Sequence, residues 1–249
     1  MPDYSFKLAE QIGSRACYGL ICLNEDQTLE HDLKRIIPTH QTSLYVSRIY
    51  SDATVNAENL SAMQDRMEQA LSLMPNNVDF HAFAYGCTSA SAVLGSEKIA
   101  ALLTKNHPSA QATNPLAAMI AGCKALELRR VALLSPYIHS LSALMIAAIE
   151  KAGIEIVAYG SFNESNDQRV ARIDQQSILE AACDLGQHKK AQSLLISCTN
   201  LRTYDIINTI EAKLDKPVLS SNQALAWQML NITGQQANFQ LGRLFADKV

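Results

Sequence analysis

Two cysteines occupy matching short motifs in the two halves of this sequence. Each one ends an apolar run typical of a buried strand, and a threonine and a small polar residue follow it. The two motifs are Tyr85-Gly86-Cys87-Thr88-Ser89 and Ile196-Ser197-Cys198-Thr199-Asn200. A thiolate is a strong nucleophile, and a thiol can also give or take a proton. The repeated motif therefore predicts a pair of reactive thiols.

The predicted position of each thiol is the carboxyl end of a strand, immediately before a helix. Ligands of open parallel sheets collect at that edge. The amino terminus of a helix would lower the pKa of a thiol, and its free N–H groups would bind a carboxylate. Neutral hydrogen bonds to that carboxylate would come from the neighbours of the two cysteines, Thr88, Ser89, Thr199 and Asn200.

Two chemistries are open to Cys87 and Cys198 if they face each other across one cleft. They could remove a proton from one face of a carbon and return it to the other face. Alternatively, one thiolate could add to an activated double bond while the other thiol donates and then removes the proton on the neighbouring carbon.

Three further residues are candidates for the same cleft. Tyr137 ends the run Leu134-Ser135-Pro136-Tyr137 and could donate a hydrogen bond to a substrate oxygen, or pack over the sheet edge. Asp26 follows the first strand and could point inwards or cap the next helix. Asn163 follows a later strand and could add an amide, or belong to an ordinary polar loop.

The elements that must position these residues alternate along the whole chain. Apolar runs predict strands over 18–23, 43–49, 80–85, 131–134, 154–159 and 193–197. Helical spacing predicts helices over 28–36, 61–74 (capped by Ser61), 91–103, 141–151, 170–185, 204–214 and 224–230. Alternating strands and helices predict an α/β fold with parallel sheets and right-handed crossovers.

The order of elements occurs twice, which suggests two homologous halves related by a pseudo-twofold axis. Asn114 and Asn222 each lie in a similar motif that opens a helix, where either could be the cap. We therefore expect two flavodoxin-like, parallel-sheet halves with the active site between them. The predicted division is 1–113 plus 219–249 for the first half and 114–218 for the second.

Composition narrows the classes of partner. The chain has 249 residues, 48% of them hydrophobic, and a net charge of −3, so we expect neither nucleic acid nor a membrane as partner.

The start lacks a signal-peptide pattern, which predicts a cytoplasmic protein. Neither zinc-ligand spacing nor a nucleotide-binding glycine motif is present, so no metal or cofactor is expected. The other cysteines, Cys17, Cys22, Cys123 and Cys183, are expected to be small core residues.

Taken together, the motifs resemble the aspartate/glutamate racemase superfamily, and within it the branch of maleate cis-trans isomerases and arylmalonate decarboxylases. The resemblance rests on residues 85–95, 131–137, 160–163, 197–203 and 242–245 and on the loop that follows Gly19-Leu20-Ile21. It implies a cofactor-free homodimeric enzyme. It also implies that Cys87 is the nucleophile and Cys198 the acid/base, and that Tyr137 and Asn163 contact substrate carboxylates.

The resemblance also separates possible activities. Arylmalonate decarboxylases keep only the second cysteine, so the presence of both favours isomerisation or racemisation. Thr88, Ser89 and Tyr137 match the residues that hold a carboxylate in the decarboxylases.

One position departs from the maleate isomerase pattern. Asp26 stands where maleate isomerases carry an asparagine, and an ionised aspartate would repel a dicarboxylate. The run 26–31 resembles an ectoine-utilisation subgroup of isomerases or racemases instead.

The predicted function is a two-cysteine cis-trans isomerase of a small carboxylate such as maleate. Two alternatives stay open: a racemase of an amino acid or N-acyl amino acid, and a non-catalytic carboxylate-binding module.

Overall fold

Two four-stranded parallel sheets form the framework of the protein. The computed structural model describes residues 1–51, 63, 66–237 and 239–246. The first sheet contains β1 (Ala16–Leu23), β2 (Thr42–Ile49), β3 (Ala82–Gly86) and β4 (Gln111–Thr113). The second contains β5 (Arg130–Ser135), β6 (Glu155–Ser161), β7 (Ser193–Ile196) and β8 (Val218–Ser220).

The strand order is the same in both sheets. The first sheet runs β2-β1-β3-β4 and the second β6-β5-β7-β8, with every neighbouring pair parallel. The central strands β1, β3 and β7 are buried along their whole length, as expected for parallel sheets covered by helices. The predicted α/β fold with two parallel-sheet halves is confirmed.

Helices connect the strands and cover the sheets. Their bounds are Leu29–Ile36, Thr88–Leu94, Ser96–Thr104, Pro115–Ala125, His139–Lys151, Asp167–Val170, Gln175–Gly186, Ile207–Leu214 and Ser221–Thr233, with a short 3₁₀ helix over Arg243–Phe245. Residues 66–71 are also helical, and the predicted cap Ser61 lies outside the described residues. In the described part of the chain, no helix is both long and apolar enough to cross a membrane.

Two predicted helices are broken in the structure. The helix expected over 91–103 is interrupted at Gly95, whose φ of 85° glycine adopts far more readily than other residues. The helix expected over 170–185 begins anew after Asp174, whose carboxylate accepts the N–H of Ser177. The backbone conformation at Gly95 and the cap at Asp174 each outweigh the continuous apolar pattern.

The two predicted asparagine caps have different outcomes. Asn114 caps its helix and accepts the N–H of Ala117 at 3.0 Å. Asn222 is not a cap, because Ser220 occupies that position and forms a capping box with Gln223.

The last helix, Ser221–Thr233, packs against the helices Leu29–Ile36 and Pro115–Ala125 and against β3. Its contacts with Leu29–Ile36 and β3 place it against the first half, as predicted, but Pro115–Ala125 belongs to the range predicted for the second half. Strand β8 extends to Ser220, just past the boundary predicted at 218/219. The division into two domains itself stays a prediction.

Replacing Gly95 tests whether the break between its two helices has a backbone cause. A methyl group added at Gly95 would meet no atom within 4 Å, so the cost of alanine comes from φ alone. We expect Gly95→Ala to lower the free energy of unfolding by about 1–3 kcal/mol, measured by urea denaturation. A variant as stable as the parent would contradict this explanation.

Candidate active site

Cys87 and Cys198 line one small cavity between the carboxyl ends of the two sheets, as the sequence predicts. The residues around it are Leu23, Asp26, Cys87, Thr88, Ser89, Tyr137, Asp167, Cys198, Thr199 and Asn200. Its free volume is about 10 Å³, roughly the space that one water molecule needs. The lining side chains must therefore move apart to admit even a molecule of few atoms. A larger groove beside the last helix contains none of the predicted site residues.

Cys87 reaches the cavity from the end of β3. It is the N-cap of the helix Thr88–Leu94, and its Sγ accepts the N–H of Ala90 at 3.4 Å. The hydroxyl of Ser91 donates to the carbonyl of Cys87 at 2.6 Å. The local sequence thus places this thiol at the start of a helix, as predicted.

Cys198 enters the cavity from a turn after β7, and the prediction that a helix follows it directly is wrong. The next helix begins only at Ile207. Cys198 has a φ of 120°, an unfavourable conformation for a residue with a side chain. Its Sγ accepts the N–H of Asn200 at 3.3 Å. The turn replaces the helix as the source of N–H groups.

Ser221 connects the two cysteine segments, although sequence reasoning did not select it. Its Oγ accepts the N–H of Cys198 at 3.0 Å and lies 2.9 Å from Oγ1 of Thr88. The hydroxyl of Thr199 also faces the carbonyl of Gly86, at 3.5 Å. Ser221 directly precedes Asn222 in the motif that was compared with the one around Asn114. In the sequence, that motif indicated only the start of a helix.

Tyr137 determines where the proton of Cys198 lies. The Tyr137 hydroxyl donates to Oδ1 of Asp167 at 2.7 Å, and its oxygen is 3.2 Å from Sγ of Cys198. When Asp167 is ionised, the single proton of the phenol goes to Asp167, and Cys198 is then the donor in the second hydrogen bond. Asp167 was also missed, since its polar segment 163–167 shows no periodicity.

Burial keeps both thiols protonated in this structure. It raises the pKa of Cys87 to about 12, against the smaller opposing effect of the Ala90 N–H. It also raises the pKa of Cys198 well above its ordinary value, and the charge of Asp167 adds to that rise. The expectation that helix N–H groups would favour the thiolates is therefore wrong for the unliganded cavity, because desolvation dominates.

The two carboxyl groups in the cavity also resist ionisation. Burial raises the pKa of Asp167 to about 6, and the charge of Asp26 contributes in the same direction. Burial raises the pKa of Asp26 as well, although Thr199 and backbone N–H groups oppose it. Oδ1 of Asp26 accepts the N–H groups of Thr28 at 2.9 Å and Leu29 at 2.8 Å. The capping alternative is confirmed for that oxygen.

Two predicted substrate contacts look different in the structure. The side chain of Asn200 lines the cavity, but its amide donates to the carbonyls of Glu25 and Asp167 and accepts the N–H of Gln27. It therefore joins the two halves. Asn163 is exposed with a φ of 55° and is not among the described residues that line the cavity.

Alkylation of Cys87 should follow the pKa that burial imposes. Below a pKa of about 12, the thiolate fraction rises roughly tenfold for each pH unit. We expect iodoacetamide labelling of Cys87 in the ligand-free protein to be slow at neutral pH and still rising at about pH 10. Peptide mass spectrometry measures it, with Cys183 outside the cavity as internal reference. A rate that levels off near pH 8 would contradict the burial effect.

Comparisons with known proteins show the family and the fold of this chain. The model of the arylmalonate decarboxylase family matches residues 53–245. The maleate isomerase of Nocardia farcinica is 23% identical over 222 residues, which cover 85% of this chain and 88% of the relative.

Two solved structures share the fold. A cysteine-to-alanine variant of the Pseudomonas putida S16 maleate isomerase with maleate has a TM-score of 0.84 and 21% identity, covering 94% of this chain and 98% of that one. A cysteine-to-serine variant of the N. farcinica maleate cis-trans isomerase, with a covalently bound succinylcysteine intermediate, has a TM-score of 0.84 and 22% identity, covering 94% and 99%. Since the family model spans most of the sequence, this chain belongs to the arylmalonate decarboxylase family.

Proposed function

We propose that this chain is a cofactor-independent isomerase that converts a small cis-unsaturated carboxylate of the maleate type into its trans isomer. The observation that carries the proposal is the pair of thiols, Cys87 and Cys198, that line one small cavity from two different halves. The N. farcinica relative with a succinylcysteine intermediate has the same fold, which supports covalent chemistry at a cysteine.

The hydrogen bonds favour Cys87 as nucleophile and Cys198 as acid/base. The proton of Cys198 is directed at the oxygen of Tyr137, where it is available for transfer. The sulfur of Cys87 accepts a backbone N–H from Ala90, and such a bond stabilises a thiolate.

The proposed reaction balances with these two groups and one solvent proton. Cys87 first loses its proton to solvent, its thiolate adds to one alkene carbon, and Cys198 gives its proton to the neighbouring carbon. The adduct has a single bond between these carbons and can rotate about it. The Cys198 thiolate then takes a proton back, the C–S bond breaks, the trans product leaves, and the Cys87 thiolate regains its proton from solvent.

Neutral donors are the proposed partners of the substrate carboxylate. The hydroxyl of Ser89 lines the cavity and has no hydrogen-bond partner among the described residues. Thr88 and Thr199 add hydroxyls beside it, and Tyr137 can turn its hydroxyl from Asp167 towards the ligand. Carboxylates are bound well by several such donors in a dry site.

The alternatives gain less support. None of the matched proteins described above is a racemase, and a binding module gives no reason for the directed proton of Cys198.

The homodimer and the cytoplasmic location stay predictions.

Replacing Cys198 should trap the proposed adduct. A serine hydroxyl is a much weaker acid than a thiol, so in this variant the adduct takes its proton from water, and the neutral hydroxyl does not remove that proton again. Cys198→Ser treated with maleate should therefore accumulate one maleate mass on Cys87. Intact-protein and peptide mass spectrometry measure this. Cys87→Ser should form no adduct, and Cys183→Ser should turn over like the parent. An adduct on a different residue, or full turnover by Cys87→Ser, refutes the proposal.

Tyr137→Phe should slow the chemistry without removing the thiol. It leaves Cys198 without its oxygen acceptor, so the proton of Cys198 is no longer directed. We expect kcat to fall by about 10²–10⁴-fold, measured from the rate of trans-product formation. Adduct formation on Cys87 should persist at a reduced rate. An unchanged kcat would contradict the role of Tyr137.

A further inference from the structure

The cavity carries acidic groups with no cationic partner in its wall. Asp26 and Asp167 both line it, and none of the described lining residues is lysine, arginine or histidine. Both side chains are buried, with exposed fractions of 4% and 5%. A second carboxylate placed beside them would meet like charges in a poorly solvated space, where repulsion is strong.

Asp26 has a buried oxygen that lacks a donor. Its Oδ1 is satisfied by the N–H groups of Thr28 and Leu29. Its Oδ2 is buried and accepts no hydrogen bond of ordinary length from the described residues, although the hydroxyl of Thr199 is near enough to lower the pKa of Asp26. Buried polar atoms of this kind are rare in native proteins, and each one calls for an explanation such as a bound water, an ion or a functional role.

The neighbouring cation does not supply that donor. Arg48 directs one guanidinium nitrogen to the backbone carbonyls of Leu23 and Asp26, both at 2.9 Å, and the other to Glu30 at 2.7 Å. None of these hydrogen bonds reaches Oδ2 of Asp26. Glu25 adds a further negative charge near Asp167.

We infer that the substrate carries a carboxylate at one end and N–H donors at the other, as an ammonium or a carboxamide, in place of a second carboxylate. Asp26 is the specificity-determining residue, and its free Oδ2 accepts from the N–H donors. The inference deepens the proposed isomerase function and depends on the same cavity. It makes maleate itself a poorer ligand than its monoamide or an amino analogue.

Binding of three saturated four-carbon acids tests this inference separately from turnover. Succinate, succinamate and 4-aminobutanoate differ only in the group opposite the carboxylate. We expect calorimetry on the parent protein to show at least about tenfold tighter binding of succinamate or 4-aminobutanoate than of succinate. The comparison between these two distinguishes a carboxamide from an ammonium. Equal or tighter binding of succinate overturns the inference.

Asp26→Asn is the matching variant. It keeps an oxygen for the two N–H groups of the cap and places an amide N–H₂ where Oδ2 stands. Preference should therefore shift by at least about tenfold towards succinate. Asp32→Asn is the control, because Asp32 is also buried and accepts from Asn222 at 2.8 Å but does not line the cavity. It should keep the parent's preference. An Asp26→Asn protein with the parent's preference overturns the assignment to Asp26.

Turnover of the corresponding cis-alkenes separates the two proposals. Maleate, maleamate and 4-amino-cis-but-2-enoate should be isomerised in the order of the binding preference. If the protein binds the N–H-bearing acids tightly but isomerises none of the three, the isomerase proposal fails and the inference on binding stands. If maleate is isomerised fastest and succinate binds best, the inference alone fails.

Discussion

One buried hydroxyl holds the two reactive segments together. Ser221 accepts the N–H of Cys198 and pairs with Thr88, the residue after Cys87. Because Cys198 has an unfavourable φ, its turn needs an external partner. Ser221 begins the helix that returns from the second sheet to the first, so the chain crossing between the halves also sets the distance between the two cysteine segments.

Desolvation is the second constraint on the site. Two thiols, a phenol and two carboxyls share a small buried space, and each resists ionisation because burial and its neighbours oppose a new negative charge. The thiols and the phenol therefore keep their protons at neutral pH. Such an arrangement suits chemistry in which one thiol gives up a proton as the other forms a bond. It also means that the site discriminates between ligands by their charge.

The sequence is sufficient to predict the alternation of strands and helices and the meeting of Cys87 with Cys198, because both follow from local patterns at strand ends. Asp167 and Ser221 could not be predicted in the same way. Their partners Tyr137 and Thr88 are 30 and 133 residues away along the chain, and such pairs depend on how the sheets are placed. The polar loop 163–167 likewise gives no sign that Asp167, and not Asn163, turns inwards.

Protection of the two thiols by one ligand tests the central claim that both face a single cavity. The parent protein is titrated with succinamate while alkylation of Cys87 and of Cys198 is followed separately by peptide mass spectrometry at alkaline pH. The account predicts that both thiols become protected with the same ligand midpoint. Protection of only one, or two clearly different midpoints, would show that the thiols do not share a binding site.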